Sequence, residues 1–199
     1  MEKQDLRKIK THRAINQAFT KLIAEKGFEA MTIKDIAEEA IINRGTFYMH
    51  YEDKYDLLES YENTLLGGLY EILSRNIDAD SQVNLSSGMH RKIAMDTFNY
   101  IDDNADKIIA LFNNQGENQF EHKVREHMRE YYRIHSNSLI DKNMLRVDIG
   151  YLLSYITSAH IGLIRNWLEN GRRESSEELA DILEMLTAKG PFYAAGLID

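Results

Sequence analysis

The stretch TIKDIAEEAIINRGTFYMHY, residues 32–51, decides the architecture. Thr32 followed three residues later by Asp35 is a variant of the capping box, a start signal for a helix. Ile33, Ile36, Ala37 and Ala40 then recur at helical spacing as an apolar stripe. A break at Ile41–Asn43 separates this short helix from another over about Arg44–His50, for which Asn43 is a suitable N-cap. Two short helices about three residues apart fit a helix-turn-helix. The second helix is too short and too polar to serve mainly as core. Phe47 anchors it inward, leaving Arg44, Thr46, Tyr48, Met49 and His50 on or near the outside. These side chains suit DNA: Arg bonds guanine bidentately, hydroxyls and a Lys at a helix start suit phosphates, and Gly45 lets backbone approach closely.

Working outward, Ile15, Ala18, Phe19, Leu22 and Ile23 predict a first helix over about Asp5–Lys26, stopped by Gly27 as a C-cap residue. Asp53 caps a fourth helix from Lys54 to about Ser74. Asn76–Gly88, rich in Asp, Asn, Ser and Gln, reads as a loop. Helices follow near His90–Asn104, Asp106–Phe112, Asn118–Leu139, Arg146–Asn170 and Ser176–Lys189, with turns at Asn113–Gly116 and Gly171–Ser176. The expected fold is all-α, with a three-helix head (residues 1–60) joined by a long helix to a larger helical-bundle body (residues 61–199).

Composition agrees. Of 199 residues, 43% are hydrophobic, so a packed core is feasible, and the single proline, Pro191, interrupts nothing before it. Without cysteine, disulfides and thiolate metal sites are excluded. The charged start and the lack of a long apolar run predict a soluble cytoplasmic protein without a membrane span. The net charge of −8 argues at first against a nucleic-acid partner, but the acid is unevenly distributed. Residues 1–13 carry Lys3, Arg7, Lys8, Lys10 and Arg13 against Glu2 and Asp5, a net +3, and residues 1–60 come to −1, leaving −7 for the rest.

The segment over about residues 10–60 resembles the TetR family of bacterial regulators. The matching residues are Thr32-Ile33-Lys34-Asp35-Ile36-Ala37, Arg44-Gly45-Thr46-Phe47-Tyr48, His50-Tyr51, Asp53-Lys54 and Leu57-Leu58. The resemblance implies base or groove contacts for Arg44, Gly45, Thr46 and Met49, and phosphate contacts for Thr32, Tyr48, His50 and Lys54. The family usually has glycine at the first turn position, where this chain has Ile41. A β-branched residue in left-handed backbone costs about 1–2 kcal/mol. The expectation is therefore either a locally different turn or packing of Ile41 that offsets the strain.

In the body, Ile149, Ile156 and Leu163 repeat every seven residues, as do Leu153, His160 and Trp167. Together they make one a/d seam, with small Ser158, Ala159 and Gly162 allowing close approach. The next helix offers Leu179, Ile182, Leu183 and Leu186. Two such helices from each subunit would form a four-helix bundle across a two-fold axis, making the chain a homodimer. The resemblance points the same way, because the family dimerises through its last two long helices. The run around His160, Trp167 and Gly171 also resembles the C-terminal domain of one TetR subgroup. Phe98, Phe112, His127, Met128, Tyr131 and Tyr155 are candidates for the wall of a small-effector pocket, the alternative being a filled core with polar tips. Phe120 and Tyr132 are further candidates for that wall, and His127 and His135 lie near the stripe of Phe120, Val124, Met128 and Tyr131. His122, Glu126 and His127 read as a solvated charged face, and no metalloprotease, nucleophile-elbow or phosphate-loop sequence is present. No enzyme activity, metal or cofactor is expected. The expected partner is double-stranded DNA with a roughly palindromic site. Repression under effector control is favoured, with activation, control by a protein partner, and a helical adaptor left as alternatives.

Overall fold

The computed structural model describes residues 3–75, 87–113, 119–139 and 145–198, and these contain helices and connections but no strand. The helices are α1 (Lys3–Ala30), α2 (Ile33–Glu39), α3 (Arg44–Tyr48), α4 (Lys54–Arg75), α5 (Ser87–Asp103), α6 (Ala105–Phe112), α7 (Gln119–Leu139), α8 (Ile149–Glu169), α9 (Ser176–Glu184) and α10 (Pro191–Ala194). Residues 76–86 of the expected loop and residues 114–116 of the expected turn lie outside the described residues, as do the side chains of Tyr132 and His135. Helix α5 starts at Ser87, three residues before the predicted His90.

The chain divides into two compact units. Met1–Leu65 with Asp106–Phe120 form the first, and Leu66–Ala105 with Glu121–Asp199 the second, so the boundary falls inside α4. In the first unit, Ile15, Ala18, Phe19, Leu22 and Ile23 of α1 are all buried, as their spacing predicts. Gly27 interrupts α1 at φ 77° and ψ 161°, a backbone that residues with a Cβ rarely adopt. The chain then turns Phe28 and Met31 back into the core. Phe19 meets Phe28 and Tyr61 edge-on, with ring centroids 6.3 and 5.0 Å away. Tyr61 and Thr20 share a hydrogen bond between hydroxyls, and burial pushes the Tyr61 phenol up to about 12.

In the second unit α5 packs against α9. Arg91 ties the two helices together, donating from Nε to Asp181 (2.6 Å) and from a terminal nitrogen to Glu177 (2.8 Å). Trp167 is buried at the end of α8, edge-on to Phe98 at 6.0 Å, and its indole N–H donates to the Glu174 carbonyl at 3.0 Å. Gly171 (φ 80°) and Arg172 (φ 54°) turn the chain after α8, and Arg172 pairs with Asp102 at 2.7 Å. Ser175 and Glu178 form the capping box that starts α9. The predicted helix to Lys189 is α-helical only to Glu184 and continues as a π-helical turn, Met185–Lys189. Gly190 then breaks the chain at φ 88°, and Pro191, fitted to a first helical turn, opens α10, which the sequence reading did not anticipate.

Candidate nucleic-acid interface

Helix α2 begins as its sequence dictates. The Thr32 hydroxyl accepts from the Asp35 N–H (3.2 Å) and donates to the Asp35 carboxylate (2.7 Å), which also accepts from the Thr32 N–H (2.8 Å). Lys26 of α1 reaches the same carboxylate at 3.0 Å. The Thr32 hydroxyl, then Lys26, then the Thr32 N–H hold the Asp35 carboxyl down at about 2. At its other end, α2 finishes with the Ile41 N–H bonded to Glu38 O and the Ile42 N–H bonded to Ala37 O, at 3.2 and 2.9 Å. That is the pattern of a Schellman ending, which requires left-handed backbone at the intervening residue. Ile41 adopts it, at φ 54°, and is 92% exposed. Of the two outcomes expected for this residue, neither occurs: the left-handed turn is kept and no burial offsets its strain.

Helix α3 follows at once, with the Asn43 side chain capping Gly45 N–H at 3.4 Å. Phe47 is fully buried and packs on Tyr51 and edge-on to Tyr48 at centroid separations of 5.7 Å. This single anchor fixes the rotation of the helix. Arg44, Gly45, Tyr48 and Met49 are thereby exposed, and Thr46 and His50 are half-buried. A Cβ added at Gly45 would meet nothing within 4 Å, so the protein's own packing does not demand a glycine there. Burial first, then the charges of His12 and Lys8, lower the pKa of the His50 imidazole.

Lys54, for which a phosphate contact is expected, is engaged within the protein itself. Its ammonium donates to the carbonyls of Phe28 (3.0 Å), Glu29 (3.1 Å) and Met31 (3.2 Å), and lies 4.6 Å from the centre of the Phe28 ring. An ammonium has three protons, and all three are engaged. Lys54 therefore locks the end of α1 against the start of α4, whose first turn Asp53 caps through the Tyr55 and Asp56 N–H groups. Lys8, counted in the sequence only as part of the basic start, and His12, not singled out there, lie near the residues just after α3: the His12 ring is 5.8 Å from Tyr51, and the Lys8 charge acts on His50. Their spacing of four, continued by Asn16, is the signal that sets them on one face of α1.

In the second unit the residues of the expected seam differ in burial. Leu153, Trp167 and Leu179 are buried within the protomer together with Thr157 and Ile161, so they line its own core. Ile149, Ile156, His160, Leu163, Ile182, Leu183 and Leu186 are half-buried. Burial alone pushes the His160 imidazole down to about 4. The outward stripe of α8 runs through Tyr151 (79% exposed), Tyr155 (61%), Ala159, Gly162 and Asn166. The candidate pocket residues belong to both units. Phe112 belongs to the first unit, beside Phe120, and Tyr155 lies on the outward stripe of α8. Phe98 and Tyr131 are buried, the latter donating to Leu73 O at 3.0 Å, while His127 is exposed and Met128 half-buried.

A capped two-helix reader with a polar outward face, carried on an all-α body, defines a helix-turn-helix DNA-binding regulator. Residues 15–61 match the family model of bacterial regulatory proteins of the tetR family, and residues 90–189 match a TetR-type transcriptional regulator C-terminal region. The chain belongs to the TetR family of transcriptional regulators. It is 24% identical over 181 residues, 90% of its length, to YxbF of Bacillus subtilis strain 168, an HTH-type transcriptional regulator, and spans 45% of that relative. Its fold is similar to that of the fatty acid degradation regulator FadR of Bacillus halodurans (TM-score 0.69, 18% identity, 90% of this chain and 95% of that one). It is also similar to FadR of Bacillus subtilis in complex with stearoyl-CoA (TM-score 0.63, 16% identity, 90% and 98%). Among the described residues, no helix is long and apolar enough to cross a membrane.

Proposed function

We propose that this regulator is a homodimeric, ligand-responsive repressor whose two heads read adjacent major grooves of a roughly palindromic operator. The carrying observation is the presentation of α3: Phe47 is held inside while Arg44 and Gly45 face outward with open space beside the glycine. An exposed Arg at the start of a short helix can enter a groove and bond a guanine edge bidentately. The second copy would dock on the outward stripe of α8, where Ala159 and Gly162 permit close helix approach, flanked by Ile156 and Leu163, and on the half-buried Ile182, Leu183 and Leu186 of α9.

Helix α4 runs from Lys54 to Arg75, across the boundary between the two units, and is the segment by which a ligand held in the body would act on the head. Release from DNA requires the ligand to bind the DNA-incompetent state more tightly, by several kcal/mol for a near-complete switch. Stearoyl-CoA, held by a regulator of similar fold, makes long-chain acyl-CoA the first ligand to try.

The test is selection of bound duplexes from a random pool, followed by titration of the recovered sequence with and without acyl-CoA, and by transcription in vitro. Dyad-symmetric sequences, a complex weakened by ligand and reduced transcription support the reading. Increased transcription would make the protein an activator. Arg44→Ala is expected to cost about 1–3 kcal/mol and to relax preference at one base position per half-site. Equal loss on all sequences would remove Arg44 from base reading.

A further inference from the structure

The start of α1 carries charge that the helix-turn-helix leaves unexplained. The tetR-family match begins at residue 15, yet α1 begins at Lys3, and Arg7, Lys8, Lys10, His12 and Arg13 are all exposed. Two of these side chains lie near the segment that follows the recognition helix. The His12 ring lies 5.8 Å from Tyr51 and the His50 ring 6.4 Å from the same tyrosine, so the two imidazoles flank one buried aromatic ring. Lys8, one turn before His12, is close enough for its charge to act on His50. Phosphate is the group that satisfies such a cationic cluster beside a groove-entering helix.

We propose that Lys8, His12 and His50 form a phosphate-binding surface that extends the DNA contact from α3 across Tyr51 onto the first turns of α1. The proposal rests on the reading of the chain as a DNA-binding regulator. It identifies two contact residues outside the family-matched region and gives DNA affinity a proton linkage.

Asn16 lies one turn beyond His12, with its amide nitrogen 3.2 Å from His12 Nδ1, while its Oδ1 is buried without a hydrogen-bond partner among the described residues. In the neutral ring the amide donates to Nδ1, leaving the proton on Nε2, pointed away from Asn16. Turning the amide over presents Oδ1 to Nδ1–H, so the same asparagine also supports the imidazolium. The neighbours facing His50 are Lys8 and His12 from α1 and the Tyr51 ring from its own segment. The Asp56 carboxylate of α4 acts on the Tyr51 phenol and accepts from the Glu52 N–H at 2.8 Å. The free cluster thus disfavours a second positive charge at His50. A bound phosphate reverses that, so DNA binding takes up protons.

Full-length protein and a labelled duplex carrying the selected sequence test this. Binding is measured over a range of salt at about pH 6 and about pH 8, on either side of the ordinary histidine pKa. Wild-type affinity is expected to rise at the lower pH, by up to about tenfold per pH unit for each proton taken up. Lys8→Ala should lower the slope of log K against log salt by about one. His12→Gln should reduce the pH dependence, and the His12→Gln/His50→Gln pair should abolish it. His12→Lys should keep the affinity while losing the pH dependence contributed by that ring. An unchanged slope and pH profile in the Lys8→Ala/His12→Gln protein overturns the proposal. So does weaker binding at an unchanged slope in a variant that also melts lower, since that marks a structural role. Wild-type protein that forms no salt-sensitive complex with any duplex would instead overturn the DNA-binding reading beneath it.

Discussion

Gly45 occupies an ordinary helical backbone with open space where a side chain would project, so folding alone gives no reason for a glycine. Alanine is the better helix former by about 1 kcal/mol. Gly45→Ala is therefore expected to raise stability by roughly 0.5–1 kcal/mol in urea titration. It should weaken operator binding, because the added methyl stands on the face proposed to approach DNA. Stronger binding, or no change, would show that DNA does not come close at this residue. Ile41 presents the opposite case. Its left-handed backbone strains a β-branched side chain by about 1–2 kcal/mol, and at 92% exposure it recovers almost nothing by burial. Ile41→Gly keeps the Schellman bonds and relieves the strain, so stability should rise by about 1 kcal/mol. A lower melting temperature in this variant would mean that the turn is held by something other than the α2 ending described above.

At the scale of elements, the short helices were legible because their signals are local. Thr32 with Asp35, Asn43 before Arg44, and Asp53 before Lys54 each act within four residues, and each caps the expected helix. Phe47 was legible as an anchor because it is the large apolar residue in a polar turn. The bonds of Lys54 were not legible for the complementary reason: its partners are three carbonyls lying 23 to 26 residues earlier, and no spacing rule reports backbone acceptors at that distance. The lock is an element-level device, closing the carbonyl end of one helix with a charge from the start of another. Lys54→Met keeps the stem and removes the charge, leaving those carbonyls to find water. Hydrogen bonds from a charged donor contribute about 1.5–3 kcal/mol, so a loss of about 2 kcal/mol in thermal or urea unfolding is expected. The salt slope of DNA binding should stay near wild type. A slope lowered by about one, with stability intact, would return Lys54 to the phosphate contacts.

For the whole molecule, the proposed homodimer turns on which side of α8 a second copy would meet. The heptad pattern could not answer it, because α8 is apolar around more than half its circumference. Leu153, Thr157, Ile161 and Trp167 face the protomer's own core, while Tyr151, Tyr155, Ala159 and Gly162 face away from it. Large exposed tyrosines beside small residues are the composition expected of a surface that buries aromatic area at close backbone approach. Gly162 makes the test clean, since a Cβ there meets nothing within 4 Å of its own chain. Gly162→Leu should leave each protomer folded, with unchanged helical circular dichroism. It should prevent close approach of a partner helix, shifting the sedimenting species from dimer to monomer at micromolar concentration. Because paired half-sites reward two linked heads, operator affinity should fall far more than affinity for a single half-site. A Gly162→Leu protein that still sediments as a dimer would show that the copies meet on another face.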